Sequence, residues 1–114
     1  MLKIIREDKP WGIIEQITHE KKSTIQVLKI KKGEELSLHY HKIRNDYWYI
    51  ISGEGIAIIN DKSKNISSGD LIYLEKLTPH SVKALTDELI VMEICFDIFD
   101  SKDTYRISDK YGRN

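Results

Sequence analysis

Short apolar runs, broken by glycine- and asparagine-based turns, fill most of this chain. Over residues 24–30, Ile25 and Val27 alternate with other side chains until Lys31-Lys32-Gly33 signals a turn. A period of two marks a strand, because successive side chains leave opposite faces. Residues 11–18, 36–41, 55–60, 71–74, 80–85 and 88–96 read as further strands. Residues 47–51 are apolar on both parities, which predicts burial on both faces. Turns are expected at Ser52-Gly53-Glu54-Gly55, at Asn60-Asp61 and at Ser67-Ser68-Gly69-Asp70. Residues 101–114 lack a strand pattern and read as loop or short helix.

Eight or nine short strands at spacings of roughly 8–12 residues predict an all-β fold, a sandwich or a barrel, and a single small jelly-roll barrel would manage its edges by wrapping two sheets on each other. A barrel of this size leaves room inside for one small ligand. Its 114 residues fit one domain, 1–114, with 101–114 as a C-terminal tail. Lys plus Arg (18) equals Asp plus Glu (18), so the basic stripe of a nucleic-acid surface is not expected. No stretch approaches the ~18 apolar residues of a membrane span, and the charged start does not read as a signal segment. The lone Cys95, in an apolar run, reads as an inert buried thiol and fits a cytoplasmic, reducing setting.

Histidine spacing changes the picture. From Gly33 the chain reads Gly33-x5-His39-x-His41-x4-Asp46-x6-Gly53, and a second block holds Gly69, Pro79 and His80. Imidazoles two apart on a strand share a face. A carboxylate and a third imidazole from other strands can close a cage around one divalent ion, of Zn, Mn, Fe, Co or Ni type. Asp46 shares parity with Trp48 and Ile50, poor company for a solvated carboxylate, and His80 shares parity with Val82. Parity also puts Leu36, Leu38 and Tyr40 on the face opposite the histidines. That apolar outer face must be covered, by a terminal segment or by a second subunit, and the second option fits a homodimer.

The two blocks resemble the cupin motifs, with Asp46 where Glu is usual and with Glu75, Leu77 and Ala84 replacing the Pro, Gly and Asn of the second. The flanks are more specific. Pro10-Trp11-Gly12, Leu36-Ser37-Leu38, Asp46-Tyr47-Trp48 and the tail from Asp103 through Tyr105-Arg106 to Tyr111-Gly112-Arg113 are similar to stretches of the type II phosphomannose isomerases. In that family the cupin is often fused behind a sugar-phosphate guanylyltransferase domain. The resemblance implies a small-molecule sugar-phosphate substrate and interconversion of mannose 6-phosphate and fructose 6-phosphate.

Such an isomerisation moves a proton between adjacent carbons and needs a positioned base. Glu93, at parity with Val91 and Cys95, is one candidate, and burial is expected to raise its pKa. Arg113 and Arg106 carry over from the tail motif, as partners for phosphate or for developing charge. Arg44 and Lys42 are further phosphate candidates by proximity to the ligands. Trp48 reads as core, and Glu34, Glu35, Lys29, Lys31 and Lys32 as a solvated edge. Two other readings stand beside the isomerase: a non-catalytic metal- and sugar-binding cupin, and a cupin oxygenase.

Overall fold

The computed structural model describes residues 4–113. Eleven strands and no helix occur among them. β1 (Ile5–Lys9) and β2 (Gly12–Gln16) form a hairpin of their own, turned by Pro10-Trp11. β3 (Ser23–Lys31), β10 (Glu88–Phe96), β5 (Asp46–Ser52) and β8 (Leu71–Leu74) make the first sheet, in the order β3-β10-β5-β8. β11 (Tyr105–Ser108), β4 (Leu38–Tyr40), β9 (His80–Ala84), β6 (Glu54–Ile59) and β7 (Lys62–Ser67) make the second, in the order β11-β4-β9-β6-β7. All pairs are antiparallel. From β3 onward the chain changes sheet at nearly every connection, which is the jelly-roll wrap.

The sheets close on a core to which both contribute. Ile30, Ile50, Leu89 and Val91 of the first face Ala57, Ile66, Val82 and Ala84 of the second. The inner face of the first sheet then turns polar at one end. Gln26, Glu93 and Trp48 lie side by side in register, and Thr24, Cys95 and Asp46 form the next row. The double apolar parity of 47–51 predicts burial outside as well; this holds at Tyr47, which clusters with Ile94, Phe96 and Tyr73, but Ile51 on the same face is 43% exposed.

Three expectations are corrected. β1 lies in the charged stretch Arg6-Glu7-Asp8, and β7 reads Lys62-Ser63-Lys64-Asn65-Ile66-Ser67 with one buried residue. Neither carries an apolar alternation, because each sits at an edge with both faces largely wet. The tail, read as loop or short helix, is loop around a strand: β11 pairs with β4, matching Tyr105 to Tyr40 and Arg106 to His39. Finally, Leu36 does not share the outer face with Leu38 and Tyr40. Glu35 bridges to Lys83 and His39 to His80, four steps along one chain against three along the other. The extra residue is a β-bulge that resets parity. Leu36 therefore packs on the core, and Tyr40 stacks outside on Tyr105.

Asn60 and Asp61, with φ of 52° and 67°, make the two-residue turn between β6 and β7, whose twist suits a hairpin. Gly53, with φ of 90°, turns β5 into β6 beneath the Glu88 carbonyl and the Thr86 hydroxyl. A methyl there meets both strain and backbone. Gly53→Ala should cost about 2 kcal/mol or more in urea unfolding, measured against Gly69→Ala, whose site is strained but open.

Candidate metal centre

Three imidazoles meet at the polar end of the barrel. His39 and His80 are cross-strand partners on β4 and β9, and His41 follows β4 by one residue. Ring centroids are 4.6 Å apart for His39 and His80, and 5.1 Å for each of the other two pairs. One ligand atom from each lies within 4.8 Å of the other two.

Main-chain carbonyls set the tautomers. Nδ1 of His39 lies 2.8 Å from the Ser37 carbonyl, Nδ1 of His80 2.8 Å from that of Thr78, and Nδ1 of His41 2.6 Å from that of Asp103. A carbonyl only accepts, so each Nδ1 carries the proton and each Nε2 offers a lone pair. His80 Nε2 is buried without a hydrogen-bond partner. A buried acceptor left unpaired costs free energy unless something binds it. Burial, with the neighbouring imidazoles, pulls His39 down to about 4 and His80 to about 3, and burial lowers His41 as well. Three neutral imidazoles with converging lone pairs and carbonyl-held backs are the donor set a divalent transition ion takes, and the residues fit one.

The fourth expected ligand, Asp46, stands beside this trio rather than inside it. Its Oδ2 is 3.4 Å from His41 Nε2, but its carboxylate accepts from Arg44 Nε at 3.0 Å and 3.3 Å. Asp46 groups with Glu93 and Cys95, whose ligand atoms also lie within 4.8 Å of one another. Burial, then the charge of Glu93, pushes Asp46 up to about 7. Arg44 is 5% exposed, and its guanidinium lies under the Phe99 ring. Cys95 is buried and its thiol is pushed up by burial, as an inert thiol should be.

Glu93 does point inward, but its pKa moves against expectation. Burial raises it. Hydrogen bonds from Trp48 Nε1 (2.8 Å) and Gln26 Nε2 (2.5 Å), with Arg44 near, outweigh burial and hold it below the usual carboxylate range. Trp48 is fully buried and is thus both core and a donor to this carboxylate. A cavity of about 320 Å³ reaches His39, His41, Arg44 and Glu93, and Arg106 and Arg113 line it from the exposed tail. Arg113 is held by Asp109 through Nε at 2.8 Å and an NH2 at 3.0 Å. Lys42 lies over the Tyr105 ring instead of the cavity, and Tyr47 faces the outer cluster.

Two positioning residues carry no signal of their own in the chain. Gln26 reads as the polar half of an alternating strand. Asp103, 2% exposed, gives its carbonyl to His41 and its carboxylate to the backbone N–H groups of Lys42 (2.9 Å) and Ile43 (3.0 Å). Only its place at the head of the tail motif pointed to it. Glu34, read as solvated edge, instead anchors the tail, accepting from Tyr111 Oη and from Lys110 Nζ.

A two-sheet jelly roll with histidines converging from β4 and β9 is a cupin. Residues 3–109 match the mannose-6-phosphate isomerase C-terminal family, and the chain belongs to it. The mannose-1-phosphate guanylyltransferase ManC of Salmonella typhimurium is 26% identical over 109 residues, 92% of this chain and 22% of that protein. The chain thus spans less than a quarter of the length of the guanylyltransferases it matches. A variant of Bacillus subtilis oxalate decarboxylase OxdC superposes with a TM-score of 0.71 at 26% identity, over 83% of this chain and 26% of the other. NovW, a 4-keto-6-deoxy sugar epimerase of Streptomyces spheroides, superposes with a TM-score of 0.71 at 12% identity, over 91% and 66%. No helix among the described residues is long and apolar enough to cross a membrane.

Stripped of metal, the protein should lose stability as pH falls below 6.5. From there down to about 3–4 the unfolded chain protonates His39 and His80 and the folded chain does not, so acid favours unfolding. Asp46 opposes this between about 7 and 3.8, since its folded form binds the proton, but one carboxylate stands against three imidazoles. Urea midpoints in chelator at about pH 7.5 and about pH 5 test the sign; a midpoint that rises on acidification would contradict it.

Proposed function

We propose that this protein is a metal-dependent aldose–ketose isomerase that interconverts mannose 6-phosphate and fructose 6-phosphate. The observation that carries the reading is one cavity that joins three groups of different chemistry: the neutral imidazoles of His39 and His41, an ionised Glu93, and a pair of arginines at the solvent side. Family membership and guanylyltransferase relatives that act on mannose 1-phosphate support a phosphorylated hexose.

His39, His41 and His80 would hold one divalent ion, with Asp46 as the fourth donor. A bound ion supplies Lewis-acid stabilisation of negative charge developing on the sugar oxygens. Arg106, directly across from His39 in the sheet register, and Arg113 bind the phosphate by charge and by paired N–H groups. Glu93 takes the proton from one sugar carbon and returns it to its neighbour. Held ionised by Trp48 and Gln26, it is fixed in place before substrate arrives, and its basicity is modest. That modest basicity is the observation that favours a second reading, a cupin that binds metal and sugar without turnover.

A homodimer belongs to the same proposal. Its seat moves from the face of Leu36 to the outer face of the first sheet, where Ile25 and Val27 are more than half exposed.

Protein loaded with Zn, Mn or Co should turn over mannose 6-phosphate in a coupled assay. Arg113→Ala should raise KM about tenfold or more, and His80→Ala should abolish stoichiometric metal. Sugar-phosphate binding without turnover under every metal would select the second reading. Full metal content in His80→Ala would remove the site itself.

A further inference from the structure

His41 Nε2 and Asp46 Oδ2 face each other across 3.4 Å. With the proton on Nδ1 and the Asp46 carboxylate ionised, both atoms are acceptors, and two buried acceptors at that distance need positive charge between or beside them. The charge present is Arg44. One guanidinium NH2 donates to His41 Nε2 at 3.2 Å while Nε donates to Asp46 at 3.0 Å, and Glu93 lies 3.8 Å from an NH2. A guanidinium N–H and a metal ion cannot use one imidazole lone pair at once. Arg44 also lines the cavity that Arg106 and Arg113 line.

We propose that Arg44 and a divalent cation are alternative partners of His41 Nε2 and Asp46. Taking up the ion displaces the guanidinium into the cavity, where it joins Arg106 and Arg113 as part of an oxyanion site. This rests on the metal-site reading above and deepens it. The ion inherits both the third imidazole and the carboxylate, and a buried ion pair becomes a ligand-binding group. Binding the cation thereby prepares the cavity for an anion. Until then, Arg44 keeps a buried carboxylate pair compensated, which would otherwise be costly.

Cobalt titration of the chelator-stripped full chain, followed by calorimetry and visible absorbance, tests the competition. Arg44→Gln should bind Co²⁺ about tenfold more tightly than the wild-type protein, and Asp46→Asn about tenfold more weakly. In wild-type protein the Arg44 Nε–H resonance should shift and lose exchange protection at one equivalent of Zn²⁺, a readout that stands even where Arg44→Gln does not fold. Inorganic sulfate should bind cobalt-loaded wild-type protein at least about fivefold more tightly than cobalt-loaded Arg44→Gln, and the two metal-stripped proteins alike. Equal or weaker cobalt affinity in a folded Arg44→Gln, or an unmoved Arg44 resonance with zinc bound, overturns the competition and leaves the metal site standing. Equal sulfate affinity in the two loaded proteins overturns the anion step. Failure of both proteins to bind cobalt removes the metal-site reading and this inference with it.

Discussion

Each of the three imidazoles hands its Nδ1 proton to a main-chain carbonyl and so turns its other nitrogen to a common point. A side-chain partner could rotate away or change its protonation; a carbonyl in a strand or a braced loop can do neither. Two of these carbonyls, Ser37 and Thr78, lie two residues before the histidine they hold, so the local chain orients His39 and His80. The third comes from Asp103, sixty-two residues beyond His41. The centre is therefore complete only when the tail docks. The same tail brings Arg106 and Arg113, so the residues that orient the third imidazole and those that line the solvent side of the cavity arrive together.

The histidine spacing and the strand periodicity were readable because both are local. Ring pairs two apart on a strand, and apolar runs buried on two faces, need no knowledge of the rest of the chain. What escaped was set by partners distant in sequence. Arg6-Glu7-Asp8 and the polar run of β7 become strands through pairing alone, and the tail does so by bonding to β4. The bulge after Glu35 inverted the parity argument for Leu36, since one extra residue moves every later side chain to the other face. At the site, burial alone predicts a raised pKa for Glu93. Trp48 and Gln26, cross-strand neighbours that only the register reveals, reverse it.

Arg44, Asp46 and Glu93 show how a barrel tolerates charge inside. Each carboxylate is met by donors from a different strand or loop, and the guanidinium, itself 5% exposed, joins both. Such a cluster contributes little to stability compared with an apolar filling, but it cannot lose one member cheaply. Its place beside the imidazoles ties the electrostatics of the interior to whatever the imidazoles bind.

The two ends of the barrel interior differ in kind. One is closed by Ile30, Ile50, Val82, Ala84 and Leu89, and the other is lined by Gln26, Glu93, Asp46 and the histidines. Mutational drift can thus proceed unevenly. Exchanging a few groups in the wet rows alters what chemistry the vessel performs, while the oily half goes on specifying its shape. A lineage built this way can change trades without relearning how to fold.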